Sequence, residues 1–281
     1  MNAAAVDVER VYGRPIMASF HAVFSVGNVL GALIGAAAFA LGAGVLATAF
    51  VVVAAIALAV VGTAATVLVG YGFTRADGGS SSDASADTAQ QQSPGGWRVV
   101  PLGALAFLLL LAEGSAMDWS SLHAQQHLGA SASAGALALG CFVAAMTVGR
   151  FSIDRIAERV GAVRTVRWGS ASAAVGVAIV VASPALPLTL LGWAVLGLGL
   201  SGGVPQVFTA AGNLGGTAGK TLSRVVGTGY LAILAGPGLI GWLADLFSLN
   251  SAFLLPLCAV VICACAAWGV ARRPPASAPT T

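Results

Sequence analysis

The sequence predicts an all-α membrane protein with eight transmembrane helices and both termini on the cytoplasmic side. Three observations carry that prediction. Hydrophobic residues make up 58% of the chain and charged residues 8%, against about 25% charged in an ordinary soluble domain, so a bilayer suits this surface better than water. Eight apolar segments approach the ~20 residues needed to cross the hydrocarbon core. Once these are strung in series, all 13 Lys and Arg residues fall on one side of the membrane.

The spans are expected near Met17–Leu41, Val45–Val69, Val99–Trp119, Ala130–Val148, Arg167–Ala182, Leu188–Phe208, Val225–Leu243 and Ala252–Val270. An open strand leaves unpaired backbone groups in lipid, and no strand-length alternation suggests a barrel, so the segments are read as helices. Orientation follows from the basic residues. Arg10 and Arg14 precede the first span, and Arg75 and Arg98 flank the connection after the second. Arg150, Arg155, Arg159, Arg164 and Arg167 lie between the fourth and fifth spans, Lys220 and Arg224 between the sixth and seventh, and Arg272 and Arg273 after the eighth. The opposite connections contain no Lys or Arg.

Composition also sets the domain plan. Residues 1–70 hold two spans, and residues 71–98, rich in Gly, Ser, Asp and Gln, read as a disordered cytoplasmic linker. Residues 99–273 hold six spans, and residues 274–281 read as a disordered tail. The 37 glycines suit close helix contacts in lipid. Cys141, Cys258, Cys263 and Cys265 form no Cys-x-x-Cys pair and have no nearby histidines, so they read as small buried hydrophobes. The start, MNAAAVDVERVYGRP, lacks the apolar run of a signal peptide. A formal charge of +3, spread along the chain, gives no footprint for nucleic acid. No phosphate-binding Gly-x-x-x-x-Gly-Lys-Ser/Thr occurs. No cofactor or metal is expected, and no enzymatic constellation stands out. His123 and His127 are expected in a short outer loop without an acidic partner.

The segment after the fourth span, GRFSIDRIAERVGAVRTVRWG, is charged and tight. Gly149 lets helices approach, and Asp154 can pair with Arg155, Arg159 or a helix N-terminus. Gly149-Arg150-Phe151-x-x-Asp154-Arg155-x-x-x-Arg159-x-Gly161 resembles the signature loop of the major facilitator superfamily. That loop lies between the second and third helices of each six-helix half, which is its position here relative to the linker. Three other stretches resemble the bacterial fucose-permease-like branch: MNAAAVDVERVYGRPIMASFHAVFSVGNVLGAL, LLAEGSAMDWSSLH and GPGLIGWLAD. The resemblance implies that the eight spans correspond to helices 5–12 of the twelve-helix fold, with the first four helices lacking. It also implies a cytoplasmic gate formed by Gly149, Arg150, Asp154, Arg155 and Arg159, and a place in a bacterial cytoplasmic membrane.

Polar residues inside spans are functional candidates because they are costly there. Glu113 lies about 21 Å from the inner end of its span at ~1.5 Å per residue. It is therefore expected in the outer half, as a protonatable coupling carboxyl or a packing hydrogen bond. His21, near the cytoplasmic end of the first span, suits a proton relay or an interhelical hydrogen bond. Asn28, Gln206, Trp193 and Tyr230 are candidates for a substrate cavity, and Asp118 for an interfacial anchor beside Trp119. Pro205 is expected to free backbone carbonyls and to kink the sixth span, and Gly236-Pro237-Gly238 to bend the seventh. Gly27, Gly31 and Gly35 offer one small-residue face.

The expected function is secondary transport of a small, unidentified solute by alternating access, coupled to protons through Glu113. A second reading is an incomplete, non-transporting membrane fragment that serves as an assembly or regulatory partner. In that case the missing N-terminal helices are supplied separately.

Overall fold

A computed structural model describes residues 8, 16–19, 21–23, 25–27, 46, 49–58, 60–63, 96–214 and 218–271. They form helices α1 (Met17–Gly27) and α2 (Ala49–Thr63), then α3 (Val99–Leu128), α4 (Ala132–Val160), α5 (Ala162–Ala182), α6 (Leu186–Leu200), α7 (Gly203–Gly212), α8 (Ala218–Leu246), α9 (Leu249–Ala252) and α10 (Leu254–Ala266). Short 3-10 turns precede α3 and follow α10. Among the described residues, six helical stretches are long and apolar enough to cross a membrane, with α6–α7 and the segment from α9 to Val270 each counting as one. α1 and α2 are shorter apolar helices. The fold is all-α.

The chain divides into two compact units, Gly27–Gln92 and a larger one containing Met1–Val26 and Ser93–Thr281. The first turns of α1 thus group with the six-helix body. The expected linker and tail, apart from Gly96–Arg98, lie outside the described residues, as do Asn28, Gly31 and Gly35.

Several boundaries differ from the sequence reading. α3 runs nine residues past Trp119, so His123 and His127 sit on its last turns and not in a loop. Gly129, at φ 64°, closes it, a left-handed conformation that glycine adopts without a Cβ clash. Ser131 caps α4 by accepting the Ala134 N–H at 3.3 Å. α4 continues to Val160, so Gly149, Arg150, Asp154, Arg155 and Arg159 are helical. Only Gly161, at φ 86°, separates α4 from α5. The sixth span breaks at Ser201–Gly202, ahead of Pro205, which sits in the first turn of α7, where its missing N–H costs no helical bond. Pro237 lies inside an uninterrupted α8.

The core fills the middle of the six-helix body. Leu102, Leu105 and Leu109 of α3, Phe142 of α4, Trp193 and Leu196 of α6, and Phe253 beyond α9 are all buried. Large apolar side chains also cover the outside: Trp168, Leu234 and Phe247 are each more than 70% exposed, the surface expected of a protein solvated by lipid. Cys263 is buried, but Cys258 and Cys265 are exposed, so those two are not core residues as expected.

Glycine permits the tightest crossings. A Cβ on Gly176 of α5 would lie 2.7 Å from the Gly192 carbonyl of α6, and one on Gly197 would lie 2.3 Å from the Phe142 carbonyl of α4. Both obstacles are backbone, so neither helix can yield without moving. Gly197→Val is expected to destabilise the protein by about 1–3 kcal/mol or more, while Gly140→Val, which meets open space, leaves thermal unfolding in detergent unchanged. Equal melting of the two variants contradicts this packing.

Candidate functional site

The helical period places Arg150 and Asp154 one turn apart on the same face of α4. Gly149 seats that face. A Cβ there would come within 2.6 Å of the Ser201 side chain, so its absence lets α4 lie against the α6–α7 break. Both Arg150 and Asp154 are buried, at 4% and 7% exposure. Each reaches across to a different part of α1.

Asp154 holds the start of α1. One carboxylate oxygen accepts the Ala18 N–H at 3.2 Å, and the other accepts the Ser19 N–H at 2.8 Å and the Ser19 hydroxyl at 2.7 Å. The first N–H groups of a helix lack intrahelical partners and sit at its positive end, so a carboxylate supplied by another helix satisfies both needs. Of the partners open to Asp154 in sequence, the helix N-terminus is the one it takes.

One turn further in, Arg150 donates from Nη2 to Glu113 Oε1 of α3 at 2.8 Å and from Nη1 to Ser25 Oγ of α1. Ser25 in turn donates to the His21 carbonyl at 2.9 Å. Arg150 therefore bridges α3, α4 and α1. The ion pair is monodentate and incompletely satisfied: Glu113 Oε2 and Arg150 Nε are buried without a hydrogen-bond partner among the described residues. A buried pair of this kind carries desolvation costs that its single contact offsets only in part.

His21 sits at the edge of this junction, and Gln206 is buried on α7. The His21 ring faces Phe208 of α7 with centres 6.2 Å apart, and both Glu113 and Arg150 act on it electrostatically. His21 Nε2 and Gln206 Nε2 are buried without partners among the described residues.

Other expected positions do not join the site. Glu113, which does join it, faces the arginine of α4 from the middle of α3, about 21 Å from one end of that helix and 22 Å from the other. Arg155 and Arg159 are exposed and turn away from the buried face. Trp193 is fully buried, packed edge-on against His123 and Phe253 at 5.9 and 5.2 Å between ring centres. Tyr230 is 56% exposed on α8. Asp118 is exposed. The sequence reading missed Ser19 and Ser25. Ser19 carried a signal as a helix-start serine in PIMAS, whereas Ser25 carried none.

The comparisons with known proteins agree with this architecture. Residues 102–281 match the sequence model of the Major Facilitator Superfamily. An uncharacterized MFS-type transporter of Yersinia pestis is 34% identical over 254 residues, covering 90% of this chain and 63% of the relative. An uncharacterized transporter of Sinorhizobium fredii is 31% identical over 262 residues, covering 91% and 65%. The membrane protein MosC of Rhizobium meliloti is 31% identical over 175 residues, covering 60% and 42%. The chain thus spans less than two thirds of the length of each of these relatives. Among solved structures, FucP in an outward conformation superposes with a TM-score of 0.58 at 16% identity, over 63% of this chain and 43% of that one. The fold likeness, the extent of the family match and the two transporter relatives lead to one conclusion: the chain belongs to the Major Facilitator Superfamily.

Proposed function

We propose that the chain is the larger part of a proton-coupled secondary transporter that moves a small solute by alternating access. The observation that carries this reading is the α1–α4 junction, where two buried charges of α4 hold a helix from outside the six-helix half. In the proposed cycle, ionised Glu113 keeps Arg150 paired while Asp154 clasps the start of α1, and the cytoplasmic side is closed. Protonation of Glu113 removes the negative partner and leaves Arg150 with Ser25 alone. That state favours rearrangement, because an uncompensated buried cation is costly. α1 then parts from α4, and the cytoplasmic side opens.

Both termini are proposed to lie in the cytoplasm of a bacterial cell, with the basic ends of α3, α4 and α5 facing inward. Gln206 and Asn28 are proposed cavity residues, and His21 a relay between the cytoplasm and the pair. The reaction needs no bound cofactor in this reading.

FucP of Escherichia coli is described as a fucose:proton symporter, so a first solute panel consists of sugars and polyols. In proteoliposomes carrying a proton gradient, one panel member is expected to accumulate with the wild-type chain. Glu113→Gln is expected to abolish accumulation and to leave solute exchange at equal pH partly intact. Accumulation by Glu113→Gln with unchanged pH dependence defeats the proposed coupling role.

A further inference from the structure

We propose that the end of the six-helix body opposite the junction carries a divalent transition-metal site, with His123 Nδ1 and His127 as its two protein ligands. The two histidines are four residues apart on α3, the spacing that puts side chains on one helix face. Their ring centres lie 5.2 Å apart. Two imidazoles sharing one ion at nitrogen–metal distances of ~2.0–2.1 Å place their centres about 5 Å apart.

The hydrogen bonds around His123 prepare it as a ligand. Asn250 donates its amide N–H to the Val181 carbonyl at 3.1 Å, which turns its carbonyl oxygen toward His123. That oxygen lies 3.0 Å from His123 Nε2, so Nε2 carries the proton and Nδ1 keeps its lone pair. Nδ1 is buried with no partner among the described residues, in a side chain with 0% exposure. A ligating histidine typically donates its second ring N–H to an oxygen that fixes both tautomer and orientation. Asn250, anchored on α5 through Val181, is placed to do this. Without a metal, the Nδ1 lone pair is a buried acceptor left unsatisfied.

Access comes through His127. It is exposed and lines an open surface depression of about 420 Å³ together with Leu128, Val181, Ala182, Ser183 and Pro184, while His123 lies behind it. Water reaching the ion on the His127 side would complete its coordination sphere. No group of three or more His, Cys, Asp or Glu residues suited to a metal occurs among the described residues, so the site has two protein ligands. Two neutral imidazoles and water suit copper, nickel or zinc, and not calcium or magnesium, which prefer oxygen.

Cu²⁺ added to the untagged chain in detergent tests the proposal. Electron paramagnetic resonance is expected to show a saturable signal of one ion per chain with two-nitrogen coupling. His127→Ala, an exposed position that leaves the helix packing intact, is expected to lose that signal while its thermal unfolding without metal stays unchanged. Asn250→Ala is expected to weaken binding by about 10-fold or more. Absence of saturable binding by the wild type overturns the site, and so does an unaltered signal in His127→Ala.

Discussion

Replacing Arg150 with Leu is expected to destabilise the protein by about 3–5 kcal/mol, the largest loss expected of any single substitution in the junction. The change leaves the half-buried Glu113 carboxyl opposite an apolar side chain and removes the donor to Ser25 of α1. Glu113→Leu is expected to cost a similar amount, because it strands the arginine. The double variant Glu113→Leu/Arg150→Leu removes both charges and is expected to be markedly more stable than either single one. Apolar replacement of a buried pair is often neutral or better, since the desolvation cost disappears with it. Thermal unfolding in detergent for the four proteins gives the coupling between the two residues. Additive losses in the double variant contradict an energetically linked pair. The double variant separates stability from function, because it is expected to fold and yet show no proton-driven accumulation.

Asp154→Ala is expected to release α1 from α4. The carboxylate serves two backbone N–H groups and one hydroxyl, so its removal takes the acceptor from the Ala18 N–H, leaves the Ser19 N–H with the Ile16 carbonyl alone, and takes away the charge facing that positive end. Ala22 is fully buried at this junction, so its accessibility reports the opening. In a background lacking Cys141, Cys258, Cys263 and Cys265, a cysteine at position 22 is expected to react with a soluble maleimide at least ~10-fold faster when Asp154 is Ala, equivalent to about 1.4 kcal/mol in the opening equilibrium. Ser19→Ala removes only the hydroxyl donor and is expected to have a smaller effect. Equal labelling rates in all three backgrounds contradict the clasp.

The membrane fold was legible because lipid leaves few choices. Apolar runs near 20 residues specify membrane-spanning helices with no knowledge of packing. Helix ends were less legible. α3 and α4 run on through charged and polar residues such as His127, Asp154 and Glu158, because a helix that leaves the hydrocarbon core keeps its own backbone bonds. Hydropathy therefore stopped both spans early and turned a helical motif into an expected loop.

The site was half legible for the same reason. Glu113 stood out as a carboxyl inside an apolar run, and Arg150 and Asp154 stood out in the motif. Their partners depended on distant contacts: 37 residues separate Glu113 from Arg150, and 135 separate Ser19 from Asp154. Nothing local marks Ser25 as an arginine ligand. Trp193 shows a different limit of the sequence. An aromatic inside a span was open to a cavity role or to packing, and its ring packs against Phe253 and His123.

The central claim is that the α1–α4 junction opens when Glu113 is protonated, and a distance measurement addresses it directly. Val23 and Phe151 are exposed residues on the two helices, suited to spin labels in the cysteine-free background. In nanodiscs at alkaline pH, double electron–electron resonance is expected to give one short distance for the wild type, with a longer population growing as the pH falls. Asp154 and His21 also titrate at this junction, so Glu113→Gln, which mimics the protonated carboxyl alone, isolates the role of Glu113. It is expected to show the longer population at both alkaline and acid pH. A single short distance in Glu113→Gln at every pH, with the wild type still opening in acid, contradicts the account.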